Sequence, residues 1–398
     1  MISTLGAILW WGSLGALAYT YLIYPGLLAW KARHKTYTHP QYDEPGQCPQ
    51  VSVLMAVHNE EKVLRDKLNS LLQQDYPSAR LSFWIGSDRS QDATDDILRE
   101  YAAQHPQFNC FFFRERQGKP NIINQLAIAA QKAHGSGAEH IFLITDASVI
   151  LSPQVTFELA RHFRCPQMAI VDARMIHTGM QADDISQSED HYISWEGRLK
   201  RHESLLWQKM IGPFGGCYAL RSDYFRPVPS NFLVDDFFIT MQVFRQGGLA
   251  ISAPAAHCYE PVGHQIREEF RRKARISAGN IQNMCYFPDL WWPPWQMPQF
   301  AFFSHKILRW LGPLWLFLLP LGAALQWHNP FFRLVFIGIV SGYVFVPVLD
   351  HYLAKRQIHL PLLRHVRYFL FMNLALAAGY IRYLNGIQSN VWQPPNRE

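Results

Sequence analysis

The sequence predicts an α/β protein: a doubly wound, mostly parallel sheet forming one polar domain, with apolar segments on either side of it. Three observations predict this. Between Val51 and about Asn283, short apolar runs rich in β-branched residues alternate with stretches of helical period, which is the pattern of strands joined by helices in a parallel sheet. Two of those runs end in carboxylates, at Asp88 and Asp146, as buried strands do when their carboxyl ends open into a polar crevice. Both ends of the chain are long and apolar, while its centre is not.

The elements follow in order. Ile2 to Trp30 carries no charge and is long enough to span a bilayer. It lacks a basic leader, which argues against a cleaved signal peptide. Lys31, Arg33 and Lys35 come next, so the positive-inside rule predicts entry into the cytoplasm there. Residues 31–50 read as a linker, Pro-, Gly- and Gln-rich from about Thr38.

Val51–Val57 is a buried strand, followed by His58-Asn-Glu-Glu61 and a helical period through Val63, Leu64, Leu68, Leu71 and Leu72 that stops at Gln74–Pro77. A second strand, Leu81–Ile85, leads to Asp88, and Asp92 or Thr94 caps the next helix. Phe111–Phe113 is a third strand, and Gly118-Lys119-Pro120 precedes a helix from Asn121 to about Ala133. The central strand is Ile141-Phe-Leu-Ile-Thr145, running into Asp146-Ala-Ser148.

After it come a helix opened by Pro153, a strand at Ala169–Val171 and an amphipathic helix over about 183–208. The glycine-rich loop Gly212–Gly216 leads to a strand at Cys217–Leu220. A helix starting near Asp235-Asp236 runs to Phe244, a last strand covers Leu249–Ile251, and a basic helix spans Glu268–Asn283.

From Tyr286 the composition turns aromatic and proline-rich, so residues 286–305 suit a membrane–water interface. Trp310–Trp327 and Leu334–Leu353 are uncharged or nearly so and predict two spans, with Val366–Leu384 as a third candidate. The predicted organisation is an N-terminal transmembrane helix (1–30), a linker (31–50), a polar α/β domain (51–285), an interfacial segment (286–305), two to three membrane helices (306–385) and a tail (386–398).

Charged residues make up 17% of the chain, below the roughly 25% usual in soluble domains. The net charge of +6 suits an anionic membrane surface or a phosphorylated substrate. It is too dispersed to point to nucleic acid. Six cysteines without a C-x-x-C spacing indicate neither a structural zinc site nor a disulfide framework.

Taken singly, Asp88, Asp146 and Asp236 each have a cap or turn explanation. Together with Lys119 and Arg275 they form a set suited to a diphosphate, which needs cations, and to an incoming hydroxyl, which needs a base. The order of these pieces resembles the inverting family 2 glycosyltransferases, in particular the membrane-bound group related to cellulose, hyaluronan and poly-N-acetylglucosamine synthases. Val51 to Glu61 matches the first strand and its Asn-Glu pair. Ser87–Thr94 matches the Asp-Gly-Ser-x-Asp-Gly-Thr turn, and Gly118-Lys119 with Asn124 the Gly-Lys…Asn piece. Thr145–Ser148 matches Asp-x-Asp, Asp235-Asp236 the acidic pair, and Arg272-Lys-Ala-Arg275-Ile276 the Gln/Arg-x-x-Arg-Trp motif.

The resemblance implies a GT-A fold, cytosolic and flanked by transmembrane helices, in a multi-pass protein of the cell (inner or plasma) membrane. It implies transfer from a UDP-linked donor to a growing glycan or lipid-linked acceptor in polysaccharide biosynthesis. Asp236 would be the general base beside Asp235, with Arg275 stabilising the departing diphosphate. Asp88 would read the nucleoside and Lys119 the nucleotide, with His58, Glu60 and Arg272 also on the donor side. Asp146 and Ser148 would hold a divalent cation, Mg2+ or Mn2+. The partners implied are the nucleotide sugar, the acceptor, membrane lipid and other synthesis or export subunits.

Two departures stand out: Ser148 replaces a carboxylate and Ile276 replaces the final Trp. They keep open a non-processive transferase that adds one sugar to a lipid carrier, and a weakly catalytic membrane subunit of a polysaccharide complex.

Overall fold

The computed structural model describes residues 2–179, 186–261, 266–356, 358 and 360–387. The chain divides into two compact units. One comprises Met1–Lys31, Gln181–Trp195 and Gly263–Gly386, the other Ala32–Met180, Glu196–Val262 and Ile387–Glu398.

The chain begins with α1 (Ile2–Ala18) and α2 (Tyr24–Ala32), joined through a wider helical turn at Tyr19–Ile23. That turn lies immediately before Pro25, whose ring cannot supply the ordinary backbone N–H and crowds the preceding carbonyls.

The second unit is built on one eight-stranded sheet. Its strands are β1 (Gln50–Val57), β2 (Leu81–Ser87), β3 (Phe108–Phe112), β4 (His140–Thr145), β5 (Ile150–Leu151), β6 (Met168–Thr178), β7 (Cys217–Arg221) and β8 (Leu249–Pro261), in the spatial order β3-β2-β1-β4-β7-β6-β8-β5. β1 pairs in parallel with β2 and β4, β2 with β3, and β6 with β8. β7 lies antiparallel between β4 and β6, and β5 antiparallel to β8. The sheet is therefore mixed but mostly parallel, consistent with the expected class.

The helices of this unit are α3 (Glu61–Leu72), α4 (Thr94–Gln104), α5 (Lys119–His134), α6 (Val155–Ala160), the later part of α7 (Ser186–Trp207) and α8 (Asp235–Arg245). On one face of the sheet Val51, Val53, Met55 and Val57 of β1 join Leu64, Leu68 and Leu71 of α3, Leu98 of α4 and Leu159 of α6 in a single core. α5 packs on β1 and β2, burying Ile122, Ile123 and Leu126. Burial on both faces explains why the parallel strands read as unbroken apolar runs.

β3 begins three residues earlier than the predicted Phe111–Phe113. It is an edge strand, and Phe111 and Phe112 are exposed at its end, with Arg99 stacked over the Phe112 ring. β6 and β8 run well past the apolar cores that announced them, because their later residues pair with each other, with Ala256 and Cys258 of β8 still buried in the core.

The first unit consists of α1, α2, the start of α7, and α9 (Ile266–Tyr286), α10 (Gln299–Phe302), α11 (Leu308–Trp310), α12 (Gly312–Ala324), α13 (Pro330–Lys355) and α14 (Pro361–Leu384). Among the described residues two helices are long and apolar enough to cross a membrane, Ile2–Ala32 and Pro330–Leu353. The count is three if Gln299–Trp310 and Gly312–Ala324, bent by 62°, form one span. The segment predicted as a span from Trp310 thus begins at a bend. α14, the third candidate, does not meet this test. It packs along α9, where Gly379 lets Ser277 approach closely and Ser277 Oγ donates to the Leu376 carbonyl.

Candidate active site

β1, β2 and β4 end side by side, and the loops that follow them carry most of the predicted donor-binding residues. Two of these loops interlock. Asn59 and Arg89 both adopt positive φ, of 53° and 56°, an uncommon conformation for residues other than glycine. Asn59 Oδ1 accepts the Gln91 N–H, the Glu61 N–H donates to Asp92, and the Ala93 N–H donates to Glu61. The Glu60 N–H donates to Thr94 Oγ1. These reciprocal bonds hold the turns that the sequence matched to the Asn-Glu pair and the Asp-Gly-Ser piece.

Asp88 is fully buried. Its Oδ1 accepts the Gln117 N–H at 2.6 Å, and its Oδ2 accepts the Gly118 N–H and Arg116 Nε, each at 3.1 Å. The carboxylate thus clamps the loop that leads into Lys119. Arg116 Nη1 also donates to His58 Nε2 at 2.6 Å, so His58 is a neutral ring whose Nδ1–H donates to the Asp88 carbonyl. Burial, reinforced by the Arg116 charge, holds the His58 pKa below its ordinary value. Arg116 was not singled out from the sequence. Its position two residues before Gly118 was the only signal.

Lys119 starts α5, and its Nζ lies 2.7 Å from Asp146 Oδ1 and 3.9 Å from Asp235 Oδ2. Burial opposes its charge, yet Asp146 and Asp235 outweigh burial and hold its pKa above the ordinary lysine range. The loop Gly212–Gly216 binds these pieces together. The Gly216 carbonyl accepts the Asp146 N–H and Thr145 Oγ1, at 3.1 and 2.9 Å. Gly215 has φ +85°, and a Cβ there would stand 2.3 Å from Asp236 Oδ2, so glycine is what lets the carboxylate approach this backbone. From the other side, the Phe214 N–H donates to Asp172, which forms a buried ion pair with Lys200 at 3.6 Å. The Lys200 ammonium sits 3.5 Å from the centre of the Phe214 ring.

Asp235 and Asp236 open α8, as predicted. Asp236 Oδ1 accepts the Phe237 N–H at 2.7 Å. Burial first, then the neighbouring Asp235 charge, push its pKa up to about 6, with Lys119 pulling the other way. Tyr218 of β7 is fully buried and its phenol is pushed well above its ordinary value, by burial and by the charges of Asp235 and Asp236. Among the described residues its hydroxyl, like Asp235 Oδ2, has no hydrogen-bond partner. A buried polar atom left in this way costs roughly 1–3 kcal/mol.

The structure therefore brings together Lys119, Asp146, Asp235 and Asp236, with His58, Glu60 and Asp88 on the adjoining loops. Arg272 and Arg275 lie on α9 in the other unit, where Arg272 forms a two-pronged bond to Glu269 at 2.8 and 3.1 Å. Ser148 Oγ donates to Glu260 at 3.3 Å.

As a donor set for a metal ion, Asp146 offers one carboxylate and Ser148 one hydroxyl. Among the described residues there is no cluster of three or more His, Cys, Asp or Glu side chains suited to a metal. These residues fit a hard divalent cation that takes most of its oxygens from a diphosphate and water, as Mg2+ does at many phosphate sites. They do not fit an ion held by protein alone.

Comparison with known proteins decides what kind of domain this is. The family model "Glycosyl transferase family 2" matches residues 52–228, the stretch that contains β1 through β7 and the interlocked loops. Residues 52–228 are a glycosyltransferase family 2 domain. A "Beta-monoglucosyldiacylglycerol synthase" of Trichormus variabilis is 27% identical over 54% of this chain and 42% of its own length. A "Poly-beta-1,6-N-acetyl-D-glucosamine synthase" of Staphylococcus epidermidis is 23% identical over 62% of this chain and 58% of its own. The chain thus spans about half the length of these curated relatives. Among solved structures, the mannosyltransferase PcManGT of Pyrobaculum calidifontis, in complex with GDP-Man and Mn2+, superposes with a TM-score of 0.65 at 19% identity, covering 96% of this chain and 99% of that one. At that identity the likeness shows a shared glycosyltransferase fold.

Proposed function

We propose that this glycosyltransferase family 2 protein is a membrane-anchored, inverting sugar transferase. It takes a sugar from a nucleoside-diphosphate donor, UDP-linked in the first instance, and passes it to a growing glycan or a lipid-linked acceptor. One observation carries the reading: a half-buried lysine, Lys119, is ringed by Asp146, Asp235 and Asp236 at the carboxyl edge of the family domain. The two curated relatives above, whose names refer to a glycolipid and a polysaccharide, support both acceptor classes. The apolar helices Ile2–Ala32 and Pro330–Leu353 support the membrane setting, with the catalytic domain on the cytoplasmic side.

The chemistry follows from the site. The donor's diphosphate lies at Asp146 and Lys119, where the ammonium offsets the charge that grows on the leaving group. Asp146, with Ser148, would hold a divalent cation there; when bound, it adds Lewis-acid neutralisation of the same charge. Asp236 accepts the acceptor hydroxyl's proton as that oxygen attacks the anomeric carbon. The bond to the diphosphate oxygen breaks with its electron pair, and the configuration inverts. A carboxylate raised to about 6 is a stronger base than an ordinary aspartate while still ionised at neutral pH. Tyr218 stays protonated beside it and can donate to the sugar or the acceptor.

The test is to incubate detergent-solubilised protein with a panel of UDP- and GDP-sugars and acceptors, reading released diphosphate and product size. Asp236→Asn is expected to cut turnover by roughly 10²–10⁴-fold, the range of general base catalysis, while still binding nucleotide. Release of no diphosphate from any donor, or full activity in Asp236→Asn, overturns the reading.

A further inference from the structure

One buried charge is not used by this mechanism. Lys67 lies on α3, on the face that also buries Leu64, Leu68 and Leu71, and its side chain is 0% exposed. An apolar residue would complete that stripe, and placing an ammonium there costs desolvation energy that must be offset. No carboxylate lies within 4.0 Å of it among the described residues. Its Nζ donates instead to Thr145 Oγ1 at 2.8 Å and to the Val149 carbonyl at 2.5 Å.

Those two acceptors bracket the segment that carries Asp146 and Ser148. Thr145 Oγ1 passes the contact on by donating to the Gly216 carbonyl, and that carbonyl also accepts the Asp146 N–H. The turn is closed by the Val149 N–H donating to the Asp146 carbonyl at 3.2 Å. Lys67 thus ties both ends of the Asp146 loop, and through Thr145 the glycine loop that cradles Asp236.

We propose that Lys67 is a positioning residue for the donor diphosphate: from beneath the sheet's carboxyl edge it fixes the Thr145–Val149 loop so that Asp146 and Ser148 meet the pyrophosphate. The proposal rests on the reading of this site as a nucleotide-sugar site. Its location is that of a supporting group, reaching ligand-facing residues from behind, and such groups typically contribute 10–100-fold when they orient a site. Its positive charge, buried against Thr145 and Val149, adds to the attraction of this loop for an anion. Burial lowers its pKa to about 8, with the Asp146 charge among the influences opposing that drop, which leaves the ammonium the main form at neutral pH.

The experiment compares wild-type protein with Lys67→Met and Lys67→Arg. It reads thermal stability, binding of UDP and GDP by calorimetry, and kcat and KM for the donor. Methionine keeps the volume and removes the charge, so a merely structural lysine predicts unchanged nucleotide binding per folded molecule. Positioning predicts a melting temperature equal to or above wild type, nucleotide affinity and donor kcat/KM down 10–100-fold, and acceptor KM unchanged. Arginine, which keeps the charge and the donors, is expected to recover part of the affinity. If Lys67→Met does not fold, Thr145→Val is read instead, since it removes the hydroxyl that Lys67 grips, and the same 10–100-fold loss is expected. Nucleotide affinity and donor kcat/KM within threefold of wild type in the folded variant overturn the proposal. A wild-type protein that binds no nucleotide and releases no diphosphate would instead overturn the reading of the site itself.

Discussion

Asp236 is held between two opposing charges, and the balance sets the pH at which the proposed base is ionised. Burial and Asp235 favour its protonated form, while Lys119 favours the ionised one. A base must be ionised to accept a proton, so kcat/KM for the donor–acceptor reaction should rise with pH and level off above about 6. The two neighbours make the assignment testable. Asp235→Asn removes a like charge, lowers the Asp236 pKa and should move the acid limb to lower pH. Lys119→Met removes the cation that stabilises the carboxylate and should move the limb to higher pH, together with a loss of donor affinity. Opposite displacements of one limb, measured in log kcat/KM profiles, identify Asp236 as the titrating group. A limb that stays in place in both variants assigns it elsewhere.

At the scale of elements the glycine-rich loop Gly212–Gly216 matters most, because Asp146, Asp172 and Asp236 all bear on it. Gly215→Ala places a methyl where Asp236 Oδ2 now lies, on a backbone with φ +85° that alanine resists. Displacing the base by about 1 Å is expected to lower kcat by roughly 10²-fold. Nucleotide binding at Lys119 should persist, and calorimetry beside steady-state kinetics checks that separation.

This loop also shows where the sequence was legible and where it was not. Val51–Val57, Leu81–Ile85 and Ile141–Thr145 announced themselves as buried parallel strands because both of their faces are covered. The antiparallel direction of β7 did not show, since five buried residues read alike in either direction. Asp172 follows the run Ala169-Ile-Val171 just as Asp146 follows its own, so the same signal was present there, and its pairing with Lys200 gave it away only in three dimensions. Lys67 stayed hidden because a lysine on an amphipathic helix ordinarily faces water.

For the molecule as a whole, the apolar surface decides how the protein must be handled. Ile8, Trp11, Leu22 and Trp30 on the N-terminal helix and Leu334, Val344, Phe345 and Val348 on α13 are all more than half exposed. Side chains of this size gain roughly 1.5–3 kcal/mol each on leaving water, and helices of 31 and 24 residues exceed the roughly 20 needed to cross a bilayer. A protein anchored by these helices should remain in the membrane pellet through alkaline carbonate extraction and be released only by detergent. The basic residues offer a test of the proposed orientation. Lys31 ends the first helix with Arg33 and Lys35 after it, and Lys355 and Arg356 end the second; by the positive-inside rule both clusters are expected on the cytoplasmic side, which requires the bent pair Gln299–Trp310 and Gly312–Ala324 to cross between them. A single cysteine introduced at Lys35, or one at Arg356, in a protein otherwise cleared of its exposed Cys285, should react with an impermeant maleimide only after the membrane is opened. Labelling at Lys35 in intact cells would reverse the orientation and put the donor site on the wrong side for cytoplasmic nucleotide sugars, whereas labelling at Arg356 alone would mean that the bent pair does not cross.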